Sequence, residues 1–315
     1  MFNSVGPPNG RMSGHRDVVD ITDLSRAELE EVFKVASQIE NQEIDLSHSL
    51  DGKVMALAFF EPSTRTRLSF ESAMCRLGGK AITFLEPVMT SAAKGENFAD
   101  TVRMLDYYSD VIVIRHSVEG ASRFAADVCN SPVINAGEGM MYHPTQTMID
   151  LYEVLKCLGN IDGLRYAVVG DLRHARVASS LIRGLMMFRP DMIYLVSPDR
   201  LRVLEETRRS LSAAKIRFEE RTSLAEVLGS VDVIYLTRIQ RERFGDALEY
   251  ERVKGSYSFV EDDVKKMKKD SIVLHALPRV DELSPAVDRY PQAKYFEQAK
   301  RGVFVRMALL NMVLR

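Results

Sequence analysis

Two doubly wound α/β domains, each a parallel sheet and the pair joined by bridging helices, are predicted by three features of this 315-residue chain. Short apolar, β-branched runs recur along it: KVMALAFF, AITFL, DVIVIR and PVINA, then RYAVVG, MIYLVS, IRFEE, DVIYLTR and SIVLHAL. Stretches of helical periodicity alternate with them, the pattern of parallel sheets covered by helices. Midway, a glycine-rich loop feeds a long amphipathic segment, GEGMMYHPTQTMIDLYEVLKCLG, suited to bridge the two halves.

The elements follow in order. The first sixteen residues, MFNSVGPPNGRMSGHR, are rich in Gly, Pro and Asn without an apolar core, and predict a flexible tail rather than a signal peptide. SRAELEEVFKVASQIE places Ser25 and Glu28 at capping-box spacing and Leu29, Val32, Phe33 and Ala36 on one stripe, so it is a helix. After the strand at 53–60, Pro62 suits a first helical turn, and Phe70, Ala73, Met74 and Leu77 give that helix its buried face. In the bridging helix Met148, Leu151, Tyr152 and Leu155 share a face, and Gly159 ends it. The last segment, VFVRMALLNMVL, is apolar nearly all round but too short to span a bilayer, so it returns as a buried helix. The domains expected are 1–144, completed by the C-terminal helix 302–315, and 145–301.

With 46% hydrophobic and 27% charged residues the chain is neither disordered nor of low complexity. A net charge of −2 argues against nucleic acid as the default partner, and no apolar run approaches the roughly 20 residues of a membrane span. Cys75, Cys129 and Cys157 are far apart and set among apolar residues; they read as reduced, buried and structural, which suits a cytoplasmic protein.

In open α/β sheets ligands sit beyond the carboxyl ends of the strands, so polar clusters just after apolar runs carry the chemistry. In EPSTRTR, Ser63, Thr64, Arg65 and Thr66 fall at a helix start, where unpaired N–H groups, hydroxyls and guanidinium make an anion site. The plainer reading is a capped helix with solvated arginines, but a cap needs fewer donors. Gly-Lys-Ser/Thr is absent, so this is no Walker loop. Lys94 in TSAAKGE is, by itself, an ordinary loop lysine. Arg115 closes a very apolar strand and needs either a protein carboxylate or a ligand anion. In HPTQ, His143 and Gln146 stand three apart at a helix start, where both can address a ligand or merely cap the helix; nothing nearby has metal-ligand spacing. In the second half, VVGDLRHARVASS lacks the dinucleotide-binding G-x-G-x-x-G spacing. Arg176, Arg238 and Gln240 come from segments that would meet at a crevice, and arginine forks on one domain suggest a dicarboxylate. RIQRER alone reads more simply as a solvated basic edge.

Together these stretches resemble the aspartate/ornithine carbamoyltransferase family over nearly the whole chain after the tail. PSTRTR with HPTQ resembles the family's carbamoyl phosphate site. TRIQRER and LPRVDE resemble the aspartate branch, whereas the ornithine branch is expected to carry a cysteine in HCLP, which reads HALP here. The resemblance implies transfer of a carbamoyl group to the α-amine of L-aspartate, a step of pyrimidine biosynthesis. Ser63, Thr64, Arg65 and Thr66 would hold the phosphate and Arg115 would span phosphate and carbonyl oxygens. Thr66, Arg115 and His143 would polarise the carbonyl; Gln146, with backbone oxygens around Leu277 and Pro278, would fix the amide. Arg176, Arg238 and Gln240 would hold the two aspartate carboxylates. Ser91 and Lys94 match mobile-loop residues that enter a neighbouring subunit's site, which implies a homotrimer; regulatory chains in a larger assembly are a further possibility the family raises. No metal or organic cofactor is implied. The departures are GDLRHAR for GDLKYGR, with Ala175 for glycine and Val177 and Ala178 for threonine and histidine, and Ala276 for the proline of HPLPR. Two other readings compete: a carbamoyltransferase for another acceptor such as ornithine, and a non-catalytic scaffold of the same fold.

Overall fold

The computed structural model of the protein describes residues 16–85, 96–239 and 257–315. The chain divides into two compact units, Met1–Met148 with Arg301–Arg315, and Ile149–Lys300.

The first unit opens with α1 (Arg26–Glu40), whose Ser25–Glu28 capping box forms and whose Leu29, Val32, Phe33 and Ala36 are buried, as the periodicity predicts. Its parallel sheet holds β1 (Val54–Phe59), β2 (Lys80–Leu85), β3 (Val111–His116) and β4 (Val133–Glu138) in the order β2-β1-β3-β4. The connections carry α2 (Thr64–Arg76), α3 (Phe98–Tyr108) and α4 (Ala121–Val128). The order reverses at β1, so right-handed crossovers send α2 to one face and α3 and α4 to the other. That is why β1, β3 and β4 are apolar on both sides: Ala56, Ala58, Ile112 and Ile114 pack against Val102, Leu105 and Ala125 from α3 and α4. Each fully buried Ile or Val contributes roughly 1.5–3 kcal/mol. Near its carboxyl end β4 shifts register against β3, between Ile114 and His116, at Gly137 with φ +108°. This bulge turns the chain toward the 139–143 loop.

The second unit holds β5 (Arg165–Val169), β6 (Met192–Val196), β7 (Phe218–Arg221), β8 (Val233–Leu236) and β9 (Ile272–His275), all parallel, in the order β7-β6-β5-β8-β9. Its helices include α6 (Arg176–Leu185), α7 (Glu205–Ala213) and the short α8 (Glu261–Val264). The order reverses between β5 and β8, where Gly170 follows β5 with φ +113°; a Cβ there would lie 2.2 Å from the Thr237 carbonyl oxygen, so only glycine lets the two strand ends approach. Val169, Val196, Ile234, Leu236 and Val273 centre the core. Two helices, α5 (Pro144–Leu158) and the C-terminal α9 (Tyr295–Leu314), contribute residues to both units. All nine strand runs of the sequence are strands, and no helix among the described residues is long and apolar enough to cross a membrane.

Two local expectations are corrected. Pro62 is not in a first helical turn: Ser63 is the N-cap and α2 starts at Thr64, two residues beyond the proline. Cys75 is exposed, unlike buried Cys129 and half-buried Cys157. It directly follows Met74 on α2, so it lies off the stripe formed by Phe70, Ala73 and Met74.

Candidate functional site

In the first unit the polar stretches converge on the carboxyl ends of β1, β3 and β4, around the reversal between β1 and β3. Phe59 and Arg115 are register partners, and the Phe60 N–H donates to the Arg115 carbonyl at 2.8 Å, so the turn into α2 leaves beside Arg115. Ser63 adopts extended backbone angles as N-cap, yet its hydroxyl makes no cap hydrogen bond. Ser63 is half-buried, Thr64 and Arg65 are exposed, and Thr66 is buried. Arg67, which α2 also carries, pairs with Glu71 one turn on at 3.5 Å.

Arg115 is 9% exposed. Its Nη2 donates to Glu61 Oε1 at 2.7 Å and its Nη1 to the Ala136 carbonyl on β4 at 3.2 Å. The sequence left its partner open between a carboxylate and a ligand; Glu61 is the protein's part of that answer. Glu61 stands one residue before Pro62, and its only signal in the sequence is its place in EPSTRTR. The neighbouring His116 ring packs on Phe60 and Phe98 and accepts from the Val118 N–H at 2.9 Å on Nδ1. Burial pushes its imidazole below the usual range, against a smaller opposing pull from Glu61.

Beyond the bulge, the Gly139 N–H donates to the His116 carbonyl at 3.0 Å. The chain then enters α5 with Pro144 as its first residue, where a missing N–H costs nothing. The His143 carbonyl accepts from Gln146 N at 3.0 Å and Thr147 N at 3.2 Å, so His143 caps the helix through its backbone. Its buried ring lies 3.4 Å from Thr145 Oγ1. Gln146 is half-buried in the first turn. A second element unmarked in the sequence is Glu138, 2% exposed, which accepts the Ser122 N–H at 2.9 Å in the first turn of α4 and anchors that helix to the end of β4.

In the second unit, Arg176, Arg238 and Leu277 follow the carboxyl ends of β5, β8 and β9, which are neighbours in the sheet. Asp171, fully buried, organises the β5–α6 turn: Oδ1 accepts from Arg173 N at 3.1 Å and His174 N at 2.8 Å, and the His174 ring lies 3.2 Å away. Arg176 is the first residue of α6 and is 7% exposed. Ala175, where the family pattern has glycine, is the N-cap at φ −79° and ψ 101°, an ordinary region for alanine, so the turn does not require glycine. Ala178 is buried and Val177 half-buried. Arg238 is half-buried just after Thr237, whose hydroxyl donates to the Val169 carbonyl at 2.9 Å and ties β8 to β5.

After β9, Leu277 has φ +55° and its bond to Pro278 is cis. Leu277 is half-buried and Pro278 exposed. His275 and Glu282, both nearly inaccessible, pair at 2.7 Å across this turn. Burial by itself would raise the Glu282 carboxyl, but hydrogen bonds from His275 and the Val280 N–H outweigh it and hold it below the usual carboxylate range. Ser91, Lys94 and Gln240 lie outside the described residues. Among the described residues no group of three or more His, Cys, Asp or Glu side chains could hold a metal ion.

Comparison with known proteins bears on both units. Residues 16–156 match the carbamoyl phosphate-binding domain of the aspartate/ornithine carbamoyltransferases, and residues 162–313 match their aspartate/ornithine-binding domain. The aspartate carbamoyltransferase catalytic subunit of Thermofilum pendens is 54% identical over 300 residues, covering 95% of each chain. Among solved structures, the catalytic subunit of the M. jannaschii aspartate transcarbamoylase has a TM-score of 0.86 at 44% identity, covering 95% of this chain and 98% of that one. The Trypanosoma cruzi aspartate transcarbamoylase, in complex with carbamoyl phosphate and aspartate, has a TM-score of 0.90 at 36% identity, covering 96% and 97%.

Proposed function

From the premise that this chain belongs to the aspartate/ornithine carbamoyltransferase family, both of whose domains it carries, we propose that it transfers the carbamoyl group of carbamoyl phosphate to the α-amine of L-aspartate. The products are N-carbamoyl-L-aspartate and phosphate, which places the reaction in pyrimidine biosynthesis. The feature that supports the acceptor assignment is that Arg176 and Arg238 follow β5 and β8, neighbours at the reversal of the second sheet, and two guanidinium groups suit a dicarboxylate.

In this reading the region 1–144 with 302–315 takes carbamoyl phosphate and 145–301 takes aspartate. Ser63, Thr64, Arg65 and Thr66 bind the phosphate at the α2 N-terminus, where the N–H groups and the Ser63 hydroxyl are not used by a side-chain cap. Arg115 adds a fixed guanidinium, and the incoming anion shares or displaces its bond to Glu61. Thr66, Arg115 and His143 donate to the carbonyl oxygen as negative charge develops there. Gln146 and the backbone oxygens of Leu277 and Pro278 hold the amide. The uncharged amine attacks the carbamoyl carbon, the new C–N bond forms, and the C–O bond to phosphate breaks; the amine proton leaves with the phosphate. Positioning and charge neutralisation supply most of the acceleration.

Arg176, Arg238 and Gln240 bind the aspartate carboxylates. Ser91 and Lys94 reach a neighbouring copy's site, so the working unit is a homotrimer, in the cytoplasm. Mixing Arg65→Ala with Lys94→Ala chains, each inactive alone, restores part of the activity if sites are shared; persistent inactivity of reassembled mixtures refutes sharing.

The test of the reaction is to supply carbamoyl phosphate with aspartate or with ornithine and to measure phosphate and carbamoylated product. Turnover is expected with aspartate alone. Turnover with ornithine alone overturns the acceptor, and none with either favours the scaffold.

A further inference from the structure

The turn after β9 is held by a hydrogen-bond chain that the chemistry above does not use. The Leu277 N–H donates to His275 Nδ1 at 2.8 Å. A ring nitrogen that accepts carries no proton, so the neutral imidazole has its hydrogen on Nε2, which faces Glu282 Oε1 at 2.7 Å. Glu282 also accepts from the Val280 N–H at 3.2 Å, so it grips the far side of the same turn. Behind the turn, the His275 N–H donates to Gln298 Oε1 at 3.0 Å, and Gln298 Nε2 donates to Asp150 Oδ1 at 2.5 Å. Asp150 Oδ2 accepts from the Tyr235 hydroxyl at 2.8 Å. His275, Glu282, Gln298, Asp150 and Tyr235 are each at most 5% exposed.

Between these anchors sits Leu277, a leucine at φ +55°, a region that L-residues with a branched side chain leave unless held. Its N–H and carbonyl lie in different peptide planes, separated by φ and ψ, so the carbonyl's direction is set by anchors on both sides of the residue: His275 holds the Leu277 N–H, and its partner Glu282 holds the Val280 N–H. We propose that His275 is a positioning residue: as the Nε2–H tautomer, braced by Glu282 and Gln298, it aims the Leu277 carbonyl oxygen at the carbamoyl amide. This rests on the assignment of the amide to Leu277 made above. It implies that His275 governs recognition of the amide and leaves phosphate recognition untouched.

The experiment uses two substitutions that split the imidazole. In H275N the amide oxygen replaces Nδ1 and still accepts the Leu277 N–H; in H275Q the amide nitrogen replaces Nε2 and still donates to Glu282, but Leu277 loses its acceptor. Binding of phosphonoacetamide, which carries the amide, and of inorganic phosphate, which does not, is measured on the assembled protein, with kcat and KM alongside. H275N is expected within about 3-fold of wild type, and H275Q about 10-fold or more weaker for phosphonoacetamide, with phosphate binding unchanged in both. Equal weakening of both ligands, or equal loss in H275N and H275Q, overturns the role of His275 and leaves the amide assignment standing. If wild type binds phosphonoacetamide no better than phosphate, the amide assignment fails and this proposal with it. A further readout is made on the wild-type protein, with H275N or H275Q, whichever folds, serving only to assign the signal. Nitrogen-15 spectra of histidine-labelled protein should show His275, identified by the signal missing from the substituted chain, as the neutral Nε2–H tautomer at pH 7. An Nδ1–H tautomer or an imidazolium there refutes the proposal.

Discussion

Replacing Gly170 by alanine tests whether the approach of β5 to β8 sets the acceptor half of the reaction. The added Cβ would lie 2.2 Å from the Thr237 carbonyl oxygen and 2.8 Å from its hydroxyl, and reaching an ordinary 3.4 Å contact with the carbonyl means opening the gap by about 1.2 Å. The obstacle is backbone, not a side chain that can swing away. At φ +113° alanine also adds strain of about 1–3 kcal/mol. A loss of about 2 kcal/mol lowers Tm by roughly 4–8 °C for a unit of this size. Thr237 immediately precedes Arg238, and Gly170 precedes the Asp171 turn that leads to Arg176, so the displacement falls on both arginines. A misplacement of about 1 Å costs about 10²-fold in rate. The assay is calorimetry together with steady-state kinetics in which each substrate is varied in turn. KM for aspartate should rise and kcat/KM for aspartate should fall by about two orders of magnitude, while carbamoyl phosphate binding, for which the proposal uses mainly the first unit and, from the second, only the turn after β9, stays within about 3-fold. Wild-type Tm with wild-type aspartate kinetics would refute the steric argument, and equal damage to both substrates would refute the division of labour between the units.

Other outcomes follow from the same geometry. Arg65→Ala should abolish turnover by removing carbamoyl phosphate binding, whereas Arg238→Ala should chiefly raise KM for aspartate; matched losses of carbamoyl phosphate affinity in calorimetric titrations would contradict this. Tyr235→Phe removes the buried donor to Asp150 and should destabilise the protein by about 1.5–3 kcal/mol in urea, and a change under about 0.5 kcal/mol would show that the bond contributes little. His116 has its folded-state pKa depressed below 6.5, so its contribution is complete above pH 6.5 and is lost as pH falls through the folded value. H116N, whose amide oxygen still accepts the Val118 N–H, should therefore flatten the loss of urea stability between pH 7 and pH 5, and an unchanged slope sinks the idea.

Much of this molecule is determined by local sequence. All nine strands are legible because parallel strands buried on both faces read as unbroken apolar runs, and α1 because its cap and stripe lie within one window. The helix starts at PSTRTR and HPTQ are legible for a similar reason: in such sheets polar clusters follow apolar strands, so position along the chain already marks them. Strand order was not legible, since nothing in the runs says that β1 lies between β2 and β3 or that β5 meets β8. That order decides which turns become neighbours. Partnerships over long sequence separations were equally hidden. Glu61 with Arg115, Asp150 with Tyr235 and Gln298, and the grip of His275 on Leu277 depend on where buried polar groups find acceptors after the sheets are assembled. A buried donor must be satisfied by whatever packing brings within about 3 Å, and only the tertiary structure supplies that distance. The residue types of the chemistry are thus written in the chain, while the groups that aim them are selected by the fold.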